Sequence, residues 1–193
     1  LPRPRKHTQV QPDTLDRWAI RLHQEALDSA ADAEVLDQVW KGVARKLRSD
    51  LTLLIAYYEG LVRLGLHDRA EKELAAALRT DWRGPLVRLF GLVEATDTTK
   101  QLKRAEGWLK NHGEDPDLLL AAARLCLRNE LWGKARSYLE TVITMRPTPE
   151  AYREYGNLLT QMGEAAAAAD AYKDGLGMFA AKPLTALPHI ESE

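Results

Sequence analysis

The chain has 193 residues, 45% hydrophobic and 28% charged, with 27 Lys+Arg against 28 Asp+Glu and a formal net charge of −1 at pH 7. That length and apolar share suit one or two domains with a real core and exclude a disordered tail, while the charge balance leaves no global attraction for nucleic-acid phosphates or anionic lipid. One cysteine, Cys126, excludes an internal disulfide; no Cys/His cluster has zinc-ligand spacing, and no apolar run approaches the roughly 20 residues of a spanning helix.

Residues 1–12, LPRPRKHTQVQP, read as an exposed linker without fixed structure, rich in proline and in Arg3, Arg5, Lys6 and His7. The chain starts at Leu1 with no charged-then-apolar leader, so it reads as a fragment of something longer, and any membrane association is expected through segments outside it. Residues 13–48 form an N-terminal helix pair, with apolar residues at three- and four-residue intervals: Leu15, Trp18, Ala19, Leu22 and Ala26, then Val35, Leu36, Val39, Trp40, Val43 and Leu47. Further helix pairs are predicted over 49–82, 84–113, 115–147 and 148–179, followed by a tail at 180–193 that packs briefly on the last helix and frays. Pro85, Pro116 and Pro149 sit where a first helical turn tolerates proline, with Asp115 and Thr148 as caps before two of them. Gly65, Gly113, Asn129 and Gly163 fall where helices stop in a left-handed residue. No segment alternates with a period of two, so the expectation is about ten helices and no sheet.

The helix pairs repeat. Ala70, Ala105, Ala135 and Ala168 are spaced by 35, 30 and 33 residues, a period near 34. The best copy runs Tyr152, Tyr155, Gly156, Leu159, Gly163, Ala168, Tyr172 and Gly175, which resembles the tetratricopeptide signature. The copy before it reads Leu119, Ala122, Ala123, Cys126, Trp132, Ala135, Leu139, Val142 and Pro147. Small residues at fixed positions let neighbouring helices approach, and large ones between them fill the gaps. The expected fold class is therefore all-α, an α-solenoid of tetratricopeptide-like helix pairs whose inner wall is lined by the first helix of each pair.

A more particular resemblance is carried by RLCLRNELWGKARSYLE at 124–140, LVRLFG at 86–91, LKRAEGWLKNHGEDP at 102–116 and VWKGVARKLRSD at 39–50. Over residues 13–179 the chain looks like the HemY family of proteobacterial inner-membrane proteins from the haem-synthesis operon. The resemblance implies two membrane helices elsewhere in the full-length protein, a repeat region on the cytoplasmic side, and a link to a late step of protoheme synthesis. It does not extend to the unrelated flavin-dependent oxidase of the same name, which would need a strand followed by GxGxxG.

Inward-facing positions of the first helices place five arginines on one wall: Arg63, Arg88, Arg124, Arg128 and Arg153, with Asn157 four residues after Arg153. Arg153 and Asn157 share a helical face and sit where tetratricopeptide domains that clamp a peptide carboxylate carry a cation and an asparagine. Such a cluster suits carboxylates, either a partner's acidic segment or porphyrin propionates. The competing reading pairs these arginines with Glu59, Asp117 and Glu150, or leaves them solvated. Cys126, His23, His67, His112 and His189 are the conceivable haem ligands. Cys126 reads better as a small core residue, His112 as a helix-end cation, His67 as a residue of an inter-helix turn, and His23 as solvated. Of the tryptophans, Trp18, Trp40, Trp108 and Trp132 are expected in the core and Trp82 exposed. With no constellation for acid–base or nucleophilic chemistry, the chain reads as a non-catalytic scaffold for a protein partner, one of the late haem-synthesis enzymes. It would need no cofactor or metal and would not bind nucleic acid. The alternative is a direct porphyrin or haem carrier using the groove arginines.

Overall fold

The computed structural model describes residues 12–179; residues 1–11 of the expected linker and the tail at 180–193, with His7 and His189, lie outside the described residues. Pro12, assigned to the linker from sequence, opens the first helix. The described residues form ten α-helices and one 3-10 turn, with no strand among them. The helices are α1 Pro12–Asp28, α2 Ala33–Gly42, α3 Leu51–Arg63, α4 His67–Thr80 and α5 Gly84–Leu92, then α6 Thr98–His112, α7 Pro116–Arg128, α8 Trp132–Met145, α9 Pro149–Gln161 and α10 Ala165–Gly177; the 3-10 turn is Arg45–Leu47. The chain divides into two compact units, one up to Leu89 and the other from Phe90, the division falling inside α5.

In the first unit the starts of α2 and α3 are set by aspartates that accept orphan backbone N–H groups: Asp32 from Val35 at 2.9 Å, Asp50 from Thr52 at 2.9 Å and Leu53 at 3.2 Å. Leu27, Leu36, Leu53, Leu61 and Leu74 are fully buried there. Trp40 stacks on Tyr57 with ring centroids 4.5 Å apart. Behind that stack Arg69 of α4 donates to Asp37, Glu73 and the Tyr57 hydroxyl, joining α2, α3 and α4 through one guanidinium.

The second unit uses the same devices. Asp97, Asp115 and Thr148 cap α6, α7 and α9, and Pro116 and Pro149 occupy first helical turns. Small residues bring the helices close. A Cβ on Gly91 would lie 2.6 Å from the Ala121 Cα, one on Gly156 would lie 2.4 Å from the Tyr172 ring, and one on Gly175 would lie 2.9 Å from the Tyr152 Cβ. Ala105, Ala135 and Ala168 are buried at the corresponding positions of the second helices. Phe90 is fully buried and meets the Trp108 ring edge-on.

Three turns inside pairs share one geometry. Leu66, Glu164 and Leu131 each donate a backbone N–H five residues back, to Leu61, Leu159 and Cys126, and the residue before each is left-handed. That is the bonding of a Schellman ending. Gly65 and Gly163 fill the left-handed place at φ +74° and +78°, as expected, but in the α7–α8 turn the place belongs to Glu130, at φ +57°, and not to Asn129, whose φ is −95°. Asn129 is held instead by its side chain, which accepts from the Thr98 and Thr99 hydroxyls and donates to the Leu125 and Thr98 carbonyls. Gly113 is likewise right-handed, at φ −63°. Glu130 therefore carries a steric cost that its two glycine counterparts do not. Glu130→Gly is expected to stabilise the chain by about 1 kcal/mol in urea unfolding, whereas Glu130→Ala should leave stability within about 0.5 kcal/mol.

Candidate partner-binding site

The six residues assigned to a binding groove from sequence have different fates. Arg63, in the last turn of α3, donates to the carbonyls of Ala30 at 2.8 Å and Leu27 at 3.1 Å, which end α1. Arg128, in the last turn of α7, does the same for α5, donating to Val93 at 2.6 Å and Leu92 at 3.2 Å. Helix C-termini leave carbonyls without intrahelical partners and carry partial negative charge, so a guanidinium there serves both needs. Gln101 completes the α5 ending by donating to Phe90 and Val93, each at 2.9 Å. Burial pushes the Arg128 guanidinium below its usual value, partly offset by Glu94. In both units, then, a first-helix arginine ties its helix to the preceding first helix.

Arg124 is only 4% exposed. It lies between α7 and α9 and donates to Glu150 at 2.5 Å and to Glu154 at 3.1 Å. Of the carboxylates expected to hold the arginines, Glu150 does so. Asp117 pairs instead with Arg146, the residue that follows α8, and Glu59 has its carboxyl pushed up by burial and by Asp28. The second partner, Glu154, was missed because Arg124 and Glu154 are 30 residues apart and only the inter-helix register brings them together. Arg88, on α5, is half-buried and engaged by neighbours.

What remains open to a partner is on α9. Arg153 has 62% of its side chain exposed and one weak contact, 3.3 Å to Glu154. One turn on, the Asn157 side chain is exposed and its Oδ1 accepts the Tyr172 hydroxyl of α10 at 2.8 Å. That bond orients the amide and leaves its NH₂ without a partner among the described residues. Gln161 continues the row and is exposed too. The face thus presents a guanidinium, a fixed amide donor and a second amide at i, i+4 and i+8, a donor-rich strip fit for carboxylate or backbone carbonyl groups.

Cys126 is fully buried, and burial pushes its thiol up to about 11, so it is a protonated core residue at neutral pH. His67, expected in an inter-helix turn, is the first residue of α4, and His112 is the last of α6. Among the described residues no group of three His, Cys, Asp or Glu could hold a metal ion. Three tryptophans, Trp82, Trp18 and Trp132, differ from expectation. Trp82 is half-buried and engaged, while Trp18 is 75% exposed because no described helix covers its side of α1. Trp132, assigned to the core, lies at the surface start of α8, and Trp40 and Trp108 are half-buried against aromatic neighbours.

Against known proteins, Protein HemY of Escherichia coli K12 is 22% identical over 159 residues, 82% of this chain, and HemY of Shigella flexneri gives the same figures. The chain resembles HemY. The likeness read from four sequence stretches is thus borne out, although the chain spans only 39% of the length of these HemY relatives. No family model matches the chain. In fold it is similar to two solved structures of MamA. One, the RS-1 ArsTM double mutant, has TM-score 0.55 at 15% identity, covering 87% of this chain and 96% of that one. The other, residues 41 to the end from Desulfovibrio magneticus RS-1, has TM-score 0.53 at 14% identity, covering 87% and 97%. The all-α fold class, an α-solenoid of tetratricopeptide-like helix pairs, is borne out. No described helix is long and apolar enough to cross a membrane.

Proposed function

We propose that this chain is a non-catalytic scaffold whose α9 face holds an acidic or carbonyl-rich segment of a protein partner. In keeping with the HemY likeness, the partner is an enzyme of a late step in protoheme synthesis, held at the cytoplasmic face of a bacterial inner membrane to which other segments of the protein anchor it. The observation that carries the reading is the Arg153–Asn157–Gln161 row, whose donors face solvent while Arg63, Arg124 and Arg128 are consumed by packing. The same division weakens the porphyrin-carrier alternative, since three of its five arginines already serve carbonyls or carboxylates of this chain.

Calorimetric titration of the chain against each purified late haem-synthesis enzyme tests the proposal. One of them should bind, and Arg153→Glu should weaken it at least about tenfold with the melting temperature unchanged. Tyr172→Phe, which releases the Asn157 amide, should weaken binding about two- to fivefold. Equal affinity for the wild type and Arg153→Glu would remove the α9 face from the proposal. Turnover of a porphyrinogen by the chain alone would end the scaffold reading, and a saturable Soret shift lost in Arg153→Glu would favour the carrier.

A further inference from the structure

Among the second helices of the pairs, α6 carries its charge unevenly. With histidine counted as neutral it holds four cations, Lys100, Lys103, Arg104 and Lys110, against one acid, Glu106, whereas α4 holds three of each sign and α10 one cation against two acids. In a chain of net charge −1 this is a local excess. Arg104 is engaged by neighbours, but the side chains of Lys100, Lys103 and Lys110 are exposed and have no partner among the described residues. The acids nearest them are used elsewhere. Asp97 caps the helix by accepting the Lys100 backbone N–H at 2.9 Å, Glu106 receives Lys134 of α8 at 2.9 Å, and Glu114, beyond the helix end, makes no ion pair with them. Outside the described residues the chain holds only two more acids, Glu191 and Glu193.

At about 100° per residue the three lysines fall within an arc of about 80°, and at about 1.5 Å per residue they span about 15 Å. Gly107 lies between them, with open space where a side chain would stand. Helix stability does not call for this row. Lys110 in the last turn suits the helix dipole, but Lys100 in the first turn opposes it.

The residue types say what fits the row. Lysine ammonium groups are hydrated point charges without the planar fork that reads a single carboxylate or phosphate, so they suit negative charge spread over a surface. No aromatic side chain of α6 is exposed to stack on a base, Trp108 being half-buried against Phe90, and no large apolar side chain stands exposed on α6 to anchor a protein partner. We propose that the exposed face of α6 rests on an anionic lipid bilayer, with Lys100, Lys103 and Lys110 meeting headgroup phosphates. This goes beyond anchoring by other segments of the protein, since the folded repeat itself turns one face to the membrane. Each lysine close to such a surface raises partition about fivefold, so three give about a hundredfold. A contact of that strength orients a tethered chain and holds a free one transiently.

Co-sedimentation of the 193-residue chain with vesicles of phosphatidylglycerol or of phosphatidylcholine, in about 20 mM salt, tests this. Partition to phosphatidylglycerol should exceed that to phosphatidylcholine by about a hundredfold and should largely disappear in about 500 mM salt. Lys103→Glu with Lys110→Glu should lower it at least about tenfold with the melting temperature unchanged, both sites being exposed. The control is Lys72→Glu with Lys173→Glu, exposed lysines of α4 and α10 whose exchange alters the net charge equally; it should stay within about threefold of the wild type. Equal partition to the two lipids, or equal losses in the two double variants, overturns the proposal. So does binding of a DNA oligonucleotide or of polyglutamate through Lys103 and Lys110 without binding to phosphatidylglycerol. None of these outcomes depends on Arg153 or Asn157, so failure here and failure of the α9 reading are separable.

Discussion

Gly91→Val is expected to destabilise the second unit by about 3 kcal/mol, read as a fall of about 6–12 °C in melting temperature. A first side-chain carbon at position 91 would sit 2.6 Å from the Ala121 Cα and 2.7 Å from its Cβ. The obstacle is backbone, so no rotamer change relieves it, and α5 must move away from α7. That movement also draws the Leu92 and Val93 carbonyls from Arg128 and the Phe90 carbonyl from Gln101. Gly91→Ala should cost less, about 1–2 kcal/mol, because alanine's helix propensity returns about 1 kcal/mol against the clash. The control is Gly107→Ala on the exposed face of α6, where no atom lies within 4 Å of the added carbon. There the same chemical change should stabilise by about 0.5–1 kcal/mol. Equal effects at the two glycines in thermal and urea unfolding would show that close approach of α5 and α7 is not what position 91 requires.

The features legible in the sequence are those set within one helix or by a fixed spacing. Apolar periodicity, Pro116 and Pro149 at first turns, and the capping pattern at Asp115 and Thr148 depend on a few neighbouring residues, so helix ends could be read directly. The small residues Gly91, Gly156 and Ala168 announce close approach because nothing else explains their recurrence with the repeat. What could not be read depends on register between helices. Arg63, Arg124, Arg128 and Arg153 occupy similar inner positions and look alike as a string. Only the structure distinguishes the two that reach a preceding helix's carbonyls, the one sealed between two carboxylates, and the one left in solvent. Trp18 was misplaced for a related reason. An apolar stripe says that a surface is to be covered, not that the same stretch of chain does the covering. At Glu130 the sequence misleads outright, since the glycine or asparagine that favours a left-handed turn stands one residue away, at Asn129, and is used for its side chain.

Arg124→Ala should lower the stability of the second unit by about 3 kcal/mol while leaving the exposed strip on α9 in place. The guanidinium is 4% exposed, and its removal strands Glu154, itself only 15% exposed, and Glu150 without the cation that neutralises them. A buried pair need not add net stability over an apolar replacement, so the informative measurement is a cycle and not a single loss. Glu154→Ala should cost less than Arg124→Ala, since Arg124 keeps Glu150. The double variant should fall short of the sum by at least about 1 kcal/mol. Arg153→Ala, with its one weak contact to Glu154, should stay within about 0.5 kcal/mol of the wild type. The contrast separates two roles that the sequence merges: an arginine that holds α7 to α9, and an arginine that the helix so held offers to a partner. If Arg124→Ala were neutral in unfolding yet abolished partner binding, the ion pair would be a site in its own right and the division between the two residues would be wrong. If it both unfolds the unit and removes binding, Arg124→Met with Glu154→Leu should recover the fold, and binding should return with it through Arg153 and Asn157.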